Sequence, residues 1–313
     1  MSLTIKHLLG LRSVPKEDIT LILDTAKGFQ EVLSRDIKKV PTLRGQTVVN
    51  LFFENSTRTR ISFELAEKRL SGDTVNFSSA GSSVKKGETL KDTIRNIEAM
   101  KIDMVVVRHQ SAGVPKYLTE CTNAVIINAG DGSNEHPTQA LLDMLTMRDR
   151  WGALKGLKVA IVGDILHSRV ARSNMWGLAT MGADLWVCGP ETLIPQYMQE
   201  FKGVTYTNNL DKALKNAKVV MALRIQLERQ STGLFPSINE YRARWGITAQ
   251  RLEKSGCSDA LIMHPGPINR GIEITTDVAD GPNSAILTQV TNGVATRMAV
   301  LYLLGGGREH AAE

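Results

Sequence analysis

Apolar positions in this chain recur in two alternating rhythms. Ile19, Ile22, Ala26, Phe29 and Leu33 follow Pro15 at three- and four-residue spacing. Glu17 and Asp18 stand near the start of that run, where the positive end of a helix dipole favours acids, and one amphipathic helix is predicted. Short apolar runs then alternate with helical stretches: TVVNLFF (47–53), a helix over about 57–70, TVNF (74–77), a helix over about 89–100, MVVV (104–107), a short helix, and AVIIN (124–128). Such alternation predicts a parallel sheet. After a long helix over about 136–150 the rhythm restarts with VAIVGD (159–164), LWVCG (185–189), VVMAL (219–223) and ALIMHP (260–265). The expected fold is α/β with two lobes, each a mostly parallel sheet flanked by helices. A last helix over about 285–304 would pack back on the first lobe, giving domains 1–137 plus 287–313 and 138–286. A length of 313 residues, beyond the usual size of one core, also favours two domains.

In open parallel sheets, ligands gather at the carboxyl ends of the strands, so the polar residues after each apolar run are the candidates for chemistry. Ser56, Thr57, Arg58 and Thr59 lie between a strand and a helix, where free backbone N–H groups, hydroxyls and a guanidinium could cradle phosphate. An N-cap followed by surface arginines is the plainer reading of these residues. SSAGSSVKKGET (78–89) has the Gly/Ser content and lysines of a mobile anion clamp, or of an ordinary solvated loop. His136 and Gln139 open the long helix; a histidine there could donate to a polarised carbonyl and a glutamine could accept from an amide, unless Asn134 caps the helix and His136 merely packs. Arg169 and Arg224 with Gln226 put guanidinium groups at strand ends, an arrangement suited to carboxylates and equally to surface salt bridges. HPGP (264–267) is a rigid backbone able to present carbonyl oxygens to an amino or amide group.

Composition narrows the field. The net charge of +6 comes without any run of five or more Lys/Arg, and aromatics are only 5%, so small anions fit better than nucleic acid. No apolar run approaches a bilayer span, and the first residues lack a secretory h-region and cleavage site; residence in the cytoplasm is expected. Cys121, Cys188 and Cys257 are far apart and form no CxxC pair, so neither a disulfide framework nor a metal site is expected. Gly163 is the only glycine in the VAIVGD turn, which excludes a dinucleotide fingerprint, and no GxxxxGK[ST] follows any strand.

Taken in order, FFENSTRTRISFE, SSVKKGET, VVVRH, NAGDGSNEHPTQ, GDILHSRVARSN, ALRIQLER and MHPGPINRG resemble the aspartate carbamoyltransferase family over nearly the whole chain. The first and fourth motifs are shared with ornithine carbamoyltransferases; KKGET, and HPGP where those enzymes have HCLP, point to aspartate. The resemblance implies transfer of the carbamoyl group of carbamoyl phosphate to the amino group of L-aspartate, an early step of de novo pyrimidine biosynthesis, without metal or organic cofactor. It implies that Ser56, Thr57, Arg58, Thr59 and Arg108 hold phosphate, and that Thr59, Arg108 and His136 donate to the carbamoyl oxygen. Gln139, Pro265 and Gly266 would hold the carbamoyl amide, and Arg169, Arg224 and Gln226 the aspartate carboxylates. Ser82 and Lys86 would enter from a neighbouring subunit of a homotrimer with shared sites, Lys86 reaching both substrates. Glu54 would pair across the lobes with Arg169 and Arg229 on closure. No short motif sets whether trimers join regulatory chains or a dihydroorotase. The alternatives are an ornithine or other amino-acid carbamoyltransferase and a non-catalytic homologue.

Overall fold

The computed structural model describes residues 2–78, 87–225 and 237–306. It divides into two compact units, residues 1–145 with 291–313, and residues 146–290. The divisions fall within two helices, somewhat later in the chain than the boundaries expected from sequence.

In the first unit the amphipathic helix α1 (Lys16–Ser34) turns Ile19, Ile22, Leu23, Ala26, Phe29 and Val32 inward, with Glu17 and Asp18 in its first turn. Four strands follow: β1 (Thr47–Phe52), β2 (Asp73–Ser78), β3 (Met104–His109) and β4 (Val125–Asp131). Between them lie α2 (Thr57–Arg69), α3 (Leu90–Ala99) and α4 (Val114–Leu118), and α5 (Pro137–Trp151) comes after β4. The sheet order is β2-β1-β3-β4, all parallel. β1, β3 and β4 are buried along almost their whole length, as strands sandwiched between helices must be. Val49, Leu51, Val105, Val107 and Ile126 pack with Ile94, Val114 and Leu118 on one face. Burying some 20–30 cal/mol of free energy per Å² of apolar surface, this layer is what holds the strand ends in place. The N-terminal segment extends the sheet: Leu8 bridges Ile127, its N–H donating to the Ile126 carbonyl (3.0 Å) and its carbonyl accepting from Asn128 (2.8 Å).

The second unit holds β5 (Lys158–Val162), α6 (Arg169–Thr180), β6 (Asp184–Cys188), β7 (Val204–Thr207), α7 (Leu210–Leu214) and β8 (Val219–Ala222). It continues through α8 (Ile238–Trp245), α9 (Ala249–Lys254), β9 (Leu261–Met263) and α10 (Thr276–Ala279). The final helix, α11 (Ile286–Gly305), begins in this unit and ends in the first. The sheet order is β7-β6-β5-β8-β9, again all parallel. β7 is an element the apolar pattern does not announce: VTYT is an edge strand with every residue partly or fully exposed, so no hydrophobic run marks it.

Both sheets reverse direction once. In the first, the chain leaves β1 for β2 on one side and returns to β3 and β4 on the other; in the second, β5 and β8 stand at the same kind of divide. Loops leaving such neighbouring strands diverge and open a crevice at the carboxyl ends, the standard ligand position of doubly wound sheets.

Among the described residues, no helix is long and apolar enough to cross a membrane and no group of His, Cys, Asp or Glu could hold a metal ion. All three cysteines are free thiols. Cys188 and Cys257 are fully buried, and burial pushes their thiols up to about 12 and about 11. Cys121 is only half-buried, less enclosed than a core hydrophobe.

Candidate active site

In the first unit, the loop leaving β1 runs straight into α2. Ser56 is the N-cap residue, with extended backbone (φ −157°, ψ 91°), yet its side chain makes no capping hydrogen bond and the first turn contains no acid. The helix therefore starts with amide hydrogens and a positive dipole end that its own sequence does not neutralise. Thr57 and Arg58 are exposed there, whereas Thr59 is buried (8% exposed).

β3 brings Arg108 beside this helix end. Phe52 pairs with Arg108 across the β1–β3 ladder, and Phe53 N–H donates to the Arg108 carbonyl (2.9 Å). The guanidinium, 9% exposed, is held from two sides: Nη1 donates to the Ala129 carbonyl (3.1 Å) and Nη2 to Glu54 Oε1 (3.2 Å). Behind it lies a second buried guanidinium, Arg297 of α11, whose Nη1 donates to Ser62 Oγ and the Gly293 carbonyl (both 2.9 Å) and whose centre sits 5.0 Å over the Phe63 ring. Burial, then the like charge of Arg108, pushes Arg297 down to about 9 against the pull of Asp143. The positive helix N-terminus beside Arg108 makes this end of the sheet a candidate site for anions.

The loop after β4 supplies His136 and Gln139. His136, 4% exposed, directly precedes α5, and its carbonyl accepts from Gln139 and Ala140 N–H (3.0 and 3.3 Å). The Asn134 amide nitrogen donates to Asp131 Oδ2 (3.0 Å). Gln139 Nε2 donates to Asp143 Oδ1 (3.0 Å), so of its amide it is the oxygen that could accept from a ligand N–H.

Asp131 and Glu135 carry the loop itself and are not evident from the sequence. Asp131 accepts from Gly113 N–H (2.8 Å), Asn128 Nδ2 (2.8 Å) and Glu135 N–H (3.1 Å). Glu135 in turn accepts from Leu11 N–H (2.7 Å), so the N-terminal segment clamps the loop. A Cβ at Gly10 would lie 2.3 Å from Glu135 Oε1, so any larger residue there would force that carboxylate to move.

In the second unit the loop after β5 turns through Gly163 (φ +134°) and is pinned by Asp164, whose Oδ1 accepts from His167 N–H (3.1 Å). Gly189 at the end of β6 fits against it so closely that a Cβ would stand 2.3 Å from the Gly163 carbonyl oxygen. This turn delivers Arg169, 7% exposed, to the first position of α6, behind Ser168, whose Oγ caps the helix by accepting from Ala171 N–H (3.1 Å). Arg224, half-buried, follows β8, where Leu223 N–H donates to the Val162 carbonyl (2.8 Å). Both arginines thus flank the divide between β5 and β8, a placement suited to bidentate contact with carboxylates. The HPGP turn follows β9, with Gly266 in the left-handed region (φ +65°). Ser82, Lys86, Gln226 and Arg229 lie outside the described residues.

These features match a known pattern throughout. Residues 6–149 fit the model described as "Aspartate/ornithine carbamoyltransferase, carbamoyl-P binding domain", and residues 155–304 fit "Aspartate/ornithine carbamoyltransferase, Asp/Orn binding domain". The chain belongs to the aspartate/ornithine carbamoyltransferase family. Among its relatives, the aspartate carbamoyltransferase catalytic subunit of Gemmatimonas aurantiaca is 61% identical over 98% of this chain and 96% of that protein. The crystal structure of Trypanosoma cruzi aspartate transcarbamoylase with N-(phosphonacetyl)-L-aspartic acid superposes with TM-score 0.86 at 31% identity, over 95% of this chain and 94% of that one. Pyrococcus furiosus ornithine carbamoyltransferase superposes equally well (TM-score 0.86, 30% identity, 98% of this chain and 99% of that one), so backbone shape does not separate the two activities.

Proposed function

We propose that the chain transfers the carbamoyl group of carbamoyl phosphate to L-aspartate, giving N-carbamoyl-L-aspartate and phosphate, as an early step of pyrimidine biosynthesis in the cytoplasm. The observation that carries the site assignment is the uncapped, acid-free start of α2 beside Arg108, an anion site built into the first unit's switch point. The 61% identity to an aspartate carbamoyltransferase catalytic subunit over nearly the whole chain supports aspartate as acceptor.

In this reading Ser56, Thr57, Arg58, Thr59 and Arg108 bind the phosphate. Thr59, Arg108 and His136 donate to the carbamoyl oxygen, while Gln139 Oε1 and the backbone at Pro265–Gly266 accept from the amide. Arg169, Arg224 and Gln226 take the aspartate carboxylates. The chain works as a homotrimer in which Ser82 and Lys86 complete the neighbour's site. The neutral aspartate amine attacks the carbamoyl carbon, and the carbonyl π electrons move to oxygen, where preplaced donors stabilise the charge. Collapse of this intermediate breaks the C–O bond to phosphate, and the amine proton leaves with the phosphate group, so no protein base is needed. Holding two reactants in register supplies on the order of 7 kcal/mol or more of barrier reduction.

The test is a paired assay of the purified chain with carbamoyl phosphate and either L-aspartate or L-ornithine. Equimolar carbamoyl-aspartate and phosphate are expected; carbamoylation of ornithine without aspartate activity would overturn the assignment.

A further inference from the structure

The turn after β9 is built around a buried pair that none of the proposed substrate contacts includes. His264 and Glu273 are almost wholly excluded from solvent (2% and 1% exposed), with His264 Nε2 3.2 Å from Glu273 Oε1. On its other side the ring accepts: Gly266 N–H donates to His264 Nδ1 at 2.8 Å. An imidazole nitrogen that accepts cannot carry a hydrogen, so Nδ1 is bare and Nε2–H is the donor facing the carboxylate. Glu273 therefore selects the tautomer that can receive the Gly266 amide.

That amide hydrogen belongs to the Pro265–Gly266 peptide, which is trans, and in a planar trans peptide the N–H and C=O point in opposite directions. Turning Gly266 N–H onto the His264 ring turns the Pro265 carbonyl away from it. Two further bonds lock the frame. Gln289 Oε1 accepts from His264 N–H (3.0 Å), and Glu273 Oε1 also accepts from Asn269 N–H (2.6 Å). Asn269 Nδ2 donates to the Ile225 carbonyl (3.1 Å), tying the same network to the segment that carries Arg224.

We propose that His264, oriented by Glu273, is a positioning residue for the carbamoyl amide: it sets the direction of the Pro265 carbonyl that accepts from the substrate NH2. This rests on the carbamoyl transfer reading above and adds a residue to it.

Asparagine and glutamine separate the two halves of the ring. In His264→Asn the side-chain Oδ1 takes the place of Nδ1 and can still accept from Gly266, whereas in His264→Gln the amide reaches the Nε2 position and can still donate to Glu273 but offers Gly266 no acceptor. The expected result is a KM for carbamoyl phosphate raised about tenfold or more in His264→Gln and within about threefold of wild type in His264→Asn, as loss of one hydrogen bond in the bound state predicts. Affinity for inorganic phosphate, which uses first-unit residues, should stay within about twofold in both. Equal KM values for the two variants, or a parallel loss of phosphate affinity, would overturn the positioning role. An inactive wild-type enzyme would instead fail the functional reading itself. If either variant does not fold, nitrogen-15 NMR of histidine-labelled wild type decides: a protonated Nε2 with bare Nδ1 supports the proposal, and an Nδ1–H tautomer at His264 overturns it.

Discussion

Glu54 and Arg108 form an ion pair (3.2 Å) across the switch point of the first sheet, one from the loop after β1 and the other from the end of β3. Together with the Ala129 carbonyl, this acid fixes both arms of the Arg108 fork beside the start of α2. A lysine offers a single ammonium and cannot make both contacts. Arg108→Lys should therefore lower kcat/KM by about a hundredfold while leaving the melting temperature within a few degrees, readable from steady-state kinetics and thermal unfolding. Wild-type kinetics would contradict the role given to the fork.

Arg58 stands exposed at the first turn of α2. Arg58→Ala is expected to cut turnover at least about a hundredfold with the fold and assembly intact, the usual effect of deleting one transition-state donor. Mixed with Lys86→Ala, it also tests the trimer. Shared sites predict that hybrids regain activity once subunits exchange; confirmed exchange without recovery would place Lys86 in its own chain's site.

Glu67 of α2 is wholly buried, its Oε2 accepting from Asn50 Nδ2 at 3.0 Å, and burial pushes its carboxyl up to about 7. A folded-state value above the unfolded one means the native chain prefers the protonated form. Stability is then unaffected below about 4.5, declines as pH rises through about 7, and stays lowered beyond it, by roughly 3 kcal/mol at most. Glu67→Gln should flatten that slope and gain stability over wild type at pH 8 relative to pH 4. Denaturant titrations giving the same difference at both pH values would refute it.

Two glycines predict opposite outcomes. Gly189→Ala drives a Cβ into the Gly163 carbonyl and should destabilise the turn that delivers Arg169, costing a few kcal/mol with loss of aspartate binding. Gly28 in α1 has nothing within 4 Å of an added Cβ, and Gly28→Ala should gain about 0.5–1 kcal/mol. Calorimetry on the pair checks both signs.

Strands such as VVV in β3 or VAIV in β5 are legible because sandwiched parallel strands must be apolar throughout, and the residues after them inherit candidacy from topology. Arg58, Arg108, His136 and Gln139 emerge this way. β7 does not, because an edge strand answers to its backbone partner and its side chains stay wet. Neither do Glu135, Arg297 or Glu273. The first two act through partners 124 and 235 residues away, Leu11 and Ser62, and no local pattern encodes such distance. Glu273 is hidden for another reason: an acid near a chain's polar turn reads as a solvated charge until burial is known.

The reversal of strand order within each sheet has an evolutionary corollary. In the proposed reading, the residues that choose the second substrate sit on connections leaving β5 and β8, and the apolar layer beneath those strands supplies none of the proposed contacts. Exchanging such connections between a protein that accepts a dicarboxylate and one that accepts a diamino acid would leave the strands and most of the apolar layer beneath them in place. One scaffold can thereby keep a constant donor reader while its acceptor preference drifts, and this chain shares its backbone with an ornithine carbamoyltransferase at TM-score 0.86 with only 30% of residues identical.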